Sequence, residues 1–169
     1  MRKMLYVQYA TMLIICFISG VACYQLFDLQ QAIQIIELGD SRLVTLEKPT
    51  ILLSALPLVL AIGIVLFFST HSFLAFCAQI FVAIKLTFLG FSSVFLLVQH
   101  NSIKLYGLWW FPFQLIYCIL LLVLYSSVNR KHVGKAARSV YSIKQVFPIL
   151  FIICIIFILE MVAISYVFK

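Results

Sequence analysis

The sequence predicts an all-α polytopic membrane protein, a bundle of five transmembrane helices with the N-terminus cytoplasmic and the C-terminus extracytoplasmic. Three observations predict it. Apolar residues make up 65% of the 169 positions and charged residues 10%, and mean hydropathy is strongly positive. A soluble domain of this size still leaves about a third of its chain's surface in water, so it could not hide that much apolar side chain. Five stretches meet the ~20 apolar residues that a helix rising 1.5 Å per residue needs to cross a bilayer. Lys and Arg, finally, are spread unevenly over the short connections, which sets the orientation. No polar stretch is long enough for a separate core, so 1–169 reads as one transmembrane domain.

The spans are 4–25, 49–69, 73–98, 105–128 and 147–168. The first follows Arg2 and Lys3 like a signal peptide, but its apolar run is long and Ser19, Gly20 and Ala22 make a poor cleavage site, so an uncleaved anchor is expected. An outer loop, 26–48, comes next. Within it Leu29, Ile33 and Ile36 recur at helical spacing and Gly39 follows as a terminator, which describes a short amphipathic helix on the outer membrane surface. Pro49 suits the start of the second span, where its missing N–H costs nothing. The third span is long enough to demand tilt, or to form a re-entrant pair of half-helices instead. Ala83, Thr87 and Gly90 form a small-residue stripe on it, the kind of surface that lets helices approach closely in lipid. Tyr106, Trp109 and Trp110 mark the outer interface of the fourth span, as aromatic belts do. Pro57, Pro112 and Pro148 can each kink or open a span, with Pro148 in a first turn where it is tolerated.

With the N-terminus inside, the cytoplasmic segments hold Arg2, Lys3, Arg130, Lys131, Lys135, Arg138 and Lys144. The outer segments hold Arg42, Lys48, Lys104 and Lys169. The loop 129–146 contains no acid and is the strongest vote for this orientation. Its five cations explain much of the net charge of +7 without nucleic acid as a partner. They suit anionic headgroups, at about 1 kcal/mol for each cation near the surface, or the docking of a cytoplasmic partner such as an ATPase.

Polar groups at membrane depth carry the most information, because a charge at the centre of a span costs about 2.5–3.5 kcal/mol on insertion scales. Lys85 and Glu160 are the charged residues deep in the spans. Each lies about 18–20 Å from the cytoplasmic end of its helix, and the two helices run in the same direction. Gln114 reaches the same outer half of the membrane. A buried Lys85–Glu160 pair with Gln114 nearby is therefore expected, as a structural tie or as part of a path for a substrate. Catalysis is poorly supported. No second acid stands in any span to share a proton with Glu160, and no His lies at membrane depth to activate a Ser. Cys16, Cys23, Cys77, Cys118 and Cys154 all fall in spans without metal or redox spacing, and His71, His100 and His132 are scattered over three loops. No metal site and no cofactor signature is present.

Three segments also carry a resemblance. Lys85, then Gly90-Phe91, within 84–97, and Phe111-Pro112-Phe113-Gln114-Leu115-Ile116-Tyr117, followed by Glu160 near the end of the last span, resemble the pattern of the stage II sporulation protein M family. The resemblance covers roughly 80–169. It implies one of two settings: a scaffold for peptidoglycan-remodelling partners during engulfment, or a short relative encoded with circular bacteriocins that helps mature, export or confer immunity to the peptide. The short chain and small outer loop favour the second. There the resemblance implies other membrane proteins, an ABC-type ATPase and a hydrophobic peptide as partners. An intramembrane peptide-processing enzyme remains a third reading.

Overall fold

A computed structural model describes residues 2–45, 48–70, 73–99, 103–129 and 143–168. Every regular element among them is helical. The elements are α1 (Arg2–Tyr24), α2 (Leu29–Asp40), α3 (Arg42–Thr45), α4 (Ile51–Thr70), α5 (Ala75–Gln99), α6 (Phe111–Asn129, entered through a π-helical turn at Leu105–Trp110) and α7 (Ile143–Val167). Five helices are long and apolar enough to cross a membrane, and they coincide with the five predicted spans to within a few residues. The third is one continuous helix of 25 residues, so the re-entrant alternative is not what forms. Pro148 stands further into α7 than its first turn, because the helix already begins at Ile143.

The reason for this architecture is local. Each long helix is apolar over most of its circumference, and helices satisfy their backbone donors and acceptors within the segment when water is absent. Large apolar side chains accordingly remain on the outside, among them Ile14, Ile18, Leu52, Phe67, Ile84, Phe151 and Val162. The helices differ in how central they are. Half of the span in α5 is buried inside the protein, against 6% of that in α1.

Helix α5 is the hub. On one side it crosses α1 at very short range. A Cβ at Gly20 would overlap the Thr87 carbonyl oxygen, and one at Gly90 would overlap the Phe17 carbonyl oxygen. Thr87 turns its hydroxyl back onto the Ala83 carbonyl, at 3.0 Å, which satisfies that hydroxyl within its own helix. Thr87 and Gly90 of the predicted small-residue stripe thus lie at the α1 contact. The opposite side of α5 meets α4 and α6 through Val82, Leu86, Leu89, Tyr117, Leu121 and Leu124.

Helices α1, α5 and α7 end, and α4 and α6 begin, at the same end of the bundle. The ring pairs Tyr24–Phe91 and Trp109–Phe168 and the grouping of Ser54 with Asp40 fix this arrangement. Helices α2 and α3 cover that end. Asp28 opens α2, its backbone N–H donating to the Gln31 side chain at 3.3 Å. Ala32, Ile36 and Asp40, four residues apart, form its buried face. Ile36 and Ala32 pack with Leu43, Phe91, Phe95, Leu96 and Trp110. Gly39 does not stop the helix. It lies inside α2, where the missing side chain leaves room for the Phe88 ring.

Candidate functional site

The cap helices place two charged groups, Asp40 and Arg42, where apolar helices meet, beside Glu160 of α7. The chain leaves α2 at Asp40, turns through Ser41, and enters α3 at Arg42. This turn aims both side chains into the bundle rather than at the surrounding solvent or lipid. Arg42 is 2% exposed, Asp40 7% and Glu160 1%.

The guanidinium of Arg42 is shared between two carboxylates. Its Nη2 donates to Asp40 Oδ2 at 2.6 Å and its Nε to Asp40 Oδ1 at 2.8 Å, a two-pronged pairing that the planar guanidinium fits. The Arg42 backbone N–H adds a third donor to Asp40 Oδ1, at 3.1 Å. The remaining arm, Nη1, reaches Glu160 Oε1 at 3.1 Å. Glu160 accepts two more hydrogen bonds, from the Tyr117 hydroxyl at 2.6 Å and from the Trp109 indole at 3.4 Å. Trp109 and Trp110 also flank the cation, their ring centroids 5.8 and 5.9 Å from Arg42 Cζ. Trp110 is fixed in turn by donating to the Ser92 hydroxyl on α5 at 3.2 Å.

Burial disfavours a charged Arg42, but hydrogen bonds and charge from Asp40 and Glu160 outweigh it, so its pKa stands above the usual arginine value. The cation is permanent. One guanidinium thus supports two carboxylates, and Glu160, which stands seven residues before the end of α7, is tied to a segment 118 residues away in the chain.

This geometry corrects the expected Lys85–Glu160 ion pair. The partner of Glu160 is Arg42, which the sequence places in a surface loop. The physical reason is that the cap folds down into the bundle end, where the rigid guanidinium fork meets Asp40 with Nε and Nη2 and keeps Nη1 for Glu160. Trp109 and Trp110 depart from expectation in the same way. They are 0% and 2% exposed and wall the arginine instead of lining a membrane surface. The π-helical turn closes i→i+5 hydrogen bonds and so holds more residues per turn than an α-helix, and two consecutive indoles both reach the interior there.

Lys85 and Gln114 do approach Glu160, across a cavity rather than through a bond. Ser54, Pro57, Leu58 and Ala61 of α4, Lys85, Phe88 and Leu89 of α5, Gln114, Tyr117, Cys118 and Leu121 of α6, and Glu160 of α7 line it, with Gly39, Asp40, Arg42 and Trp110 at the capped end. It has about 40 Å³ of space for the centres of water molecules, more than the ~10–15 Å³ that one water requires. Lys85 and Gln114 are half-buried in its wall. Ser54 is 2% exposed, and its hydroxyl has no hydrogen-bond partner among the described residues.

Ala83 is half-buried beside the α1–α5 crossing, away from this node. Arg130, Lys131, Lys135 and Arg138 lie outside the described residues, as does the side chain of Lys144. No group of three or more His, Cys, Asp or Glu that could hold a metal forms among the described residues.

Asp40, Arg42, Tyr117, Trp109 and Trp110 were not among the residues the sequence singled out for this site. A signal existed. The loop holding Asp40 and Arg42, the paired tryptophans and Glu160 all fall in the outer half of the predicted arrangement, so the acid has a second cation besides Lys85 on its side of the membrane. No protein-family model, curated protein or solved structure matches the chain.

Proposed function

We propose that the chain is a multi-pass protein of a bacterial cell membrane, N-terminus cytoplasmic and C-terminus outside. In this reading it is a non-enzymatic subunit of a complex that matures, exports or confers immunity to a hydrophobic peptide of the circular-bacteriocin kind. An ABC-type ATPase drives the complex, and the basic loop with Arg130, Lys131, Lys135, Arg138 and Lys144 is its docking surface or a contact for anionic headgroups.

One observation carries the reading. The three stretches that resemble the stage II sporulation protein M family lie on different helices, yet Lys85, Gln114, Tyr117 and Glu160 from them line one cavity within the bundle. A cavity walled by Leu58, Ala61, Leu89 and Leu121 but ending in polar side chains suits part of an amphiphilic peptide. Glu160 has the donors of a structural anion, with Arg42, Tyr117 and Trp109 all directed at it.

Purification in a mild uncharged detergent, followed by identification of the retained proteins, tests the reading. The expected companions are an ATP-binding subunit and a short apolar peptide encoded nearby. Retention of peptidoglycan hydrolases instead would move the protein to the sporulation scaffold. Accumulation of unprocessed peptide by Glu160→Gln and Lys85→Met variants that assemble normally would favour an intramembrane enzyme, and unchanged processing in both would remove that reading.

A further inference from the structure

Two groups in the cavity are left over once the Asp40–Arg42–Glu160 network is complete. The first is Lys85. No hydrogen bond or ion pair among the described residues involves its side chain, although it is half-buried in an apolar bundle. An ammonium in such a place ordinarily finds a partner, because hydrocarbon offers none. The second is the Ser54 hydroxyl, buried and without a partner. A buried polar group left unmade costs about 1–3 kcal/mol, so an orphan lining a cavity points to something that fills it.

These groups set the chemistry of the occupant. Lys85 can only donate, and a serine hydroxyl can donate as well, so the complement is an acceptor with several lone pairs. The carboxylates already present are engaged elsewhere: Asp40 by three donors of Arg42, and Glu160 by Arg42, Tyr117 and Trp109. Gln114 can supply a further amide donor from the α6 wall. Beyond the polar end, Pro57, Leu58, Ala61, Leu89 and Leu121 offer only apolar contact.

We infer that the cavity binds a carboxylate borne on an apolar chain, with Lys85 and Ser54 holding the carboxylate and the α4–α6 wall holding the first carbons. The inference does not depend on the identity of the complex proposed above. Co-purification tests that complex, whereas direct binding tests this site. A free peptide C-terminus and a fatty acid share the required chemistry, and the experiment separates them.

The test uses the full chain in nanodiscs of zwitterionic phosphatidylcholine. Three probes are titrated: an apolar octapeptide with a free C-terminus, the same peptide amidated, and dodecanoate. The acid peptide is expected to bind about tenfold or more tightly than the amide, the scale of one charge-assisted hydrogen bond. Lys85→Met should erase that difference, Lys85→Arg should retain most of it, and Ser54→Ala should reduce it by a smaller factor. Binding of dodecanoate without the peptide, still lost in Lys85→Met, would support the site and assign it to a fatty acid. Equal binding of acid and amide with no dodecanoate binding overturns the inference, as does carboxylate binding unchanged in Lys85→Met. Should Lys85→Met fail to assemble, Ser54→Ala and the acid–amide comparison on the unaltered chain decide the matter.

Discussion

Helix α5 has two neighbourhoods built on opposite principles. Towards α1 it offers Gly90 and the bare backbone near Thr87, and the two helices touch main chain to main chain. Towards α4, α6 and the cap it faces charges, indoles and a cavity. The first contact brings main chain against main chain and gains its energy from dispersion between closely packed atoms. The second holds three buried charges and is stable only because each has its hydrogen bonds. Steric fit is unforgiving of added volume, and the polar node is unforgiving of a missing partner.

Removing the shared cation should therefore have the largest effect. Arg42→Met leaves Asp40 and Glu160 buried without their counter-charge and is expected to cost about 3–5 kcal/mol, read as a fall in thermal midpoint in detergent. Adding Glu160→Gln should cost less than the sum of the two single changes, since the pair acts as a unit. Strict additivity would break the view of a single node. Next comes the α1–α5 crossing: Gly90→Val should force α1 away and cost about 1–3 kcal/mol, visible as weaker protection of α1 from proteolysis. A smaller loss, about 0.5–1.5 kcal/mol in unfolding free energy, is expected for Trp110→Phe, which removes the indole donor to Ser92 but keeps most of the ring packing. The smallest effect has the opposite sign. Gly63 on α4 has nothing near its missing Cβ, so Gly63→Ala should raise stability by about 0.5–1 kcal/mol through helix propensity alone. Destabilisation by Gly63→Ala would mean that α4 has a close neighbour in the assembled state.

Much of the node was within reach of the sequence without being assembled from it. Glu160 stood out because an acid in an apolar span is costly, and its depth was readable from helix rise. Lys85 stood out for the same reason and does line the same cavity. Arg42 did not, because a loop arginine is cheap in water and is read as a topology signal. Glycine so often follows a helix that Gly39 reads as a stop, whereas here its missing side chain accommodates Phe88. Tryptophan gathers at membrane interfaces, so Trp109 and Trp110 read as an interfacial pair, and the π-helical turn in which both lie buried leaves no mark in the composition.

By itself the sequence determined the all-helical class, the five long apolar helices, their order, and the α2 helix between the first two. These follow from free energies that sum residue by residue along a short window: transfer to an apolar medium, and hydrogen bonds satisfied within one helix. Only the tertiary structure decided which cation Glu160 accepts, that Asp40 shares it, and that Lys85 and Ser54 are left facing a cavity. Those outcomes depend on where a cap segment comes to rest against a helix 118 residues further on. Competition among donors at one point in space has no counterpart in any local window.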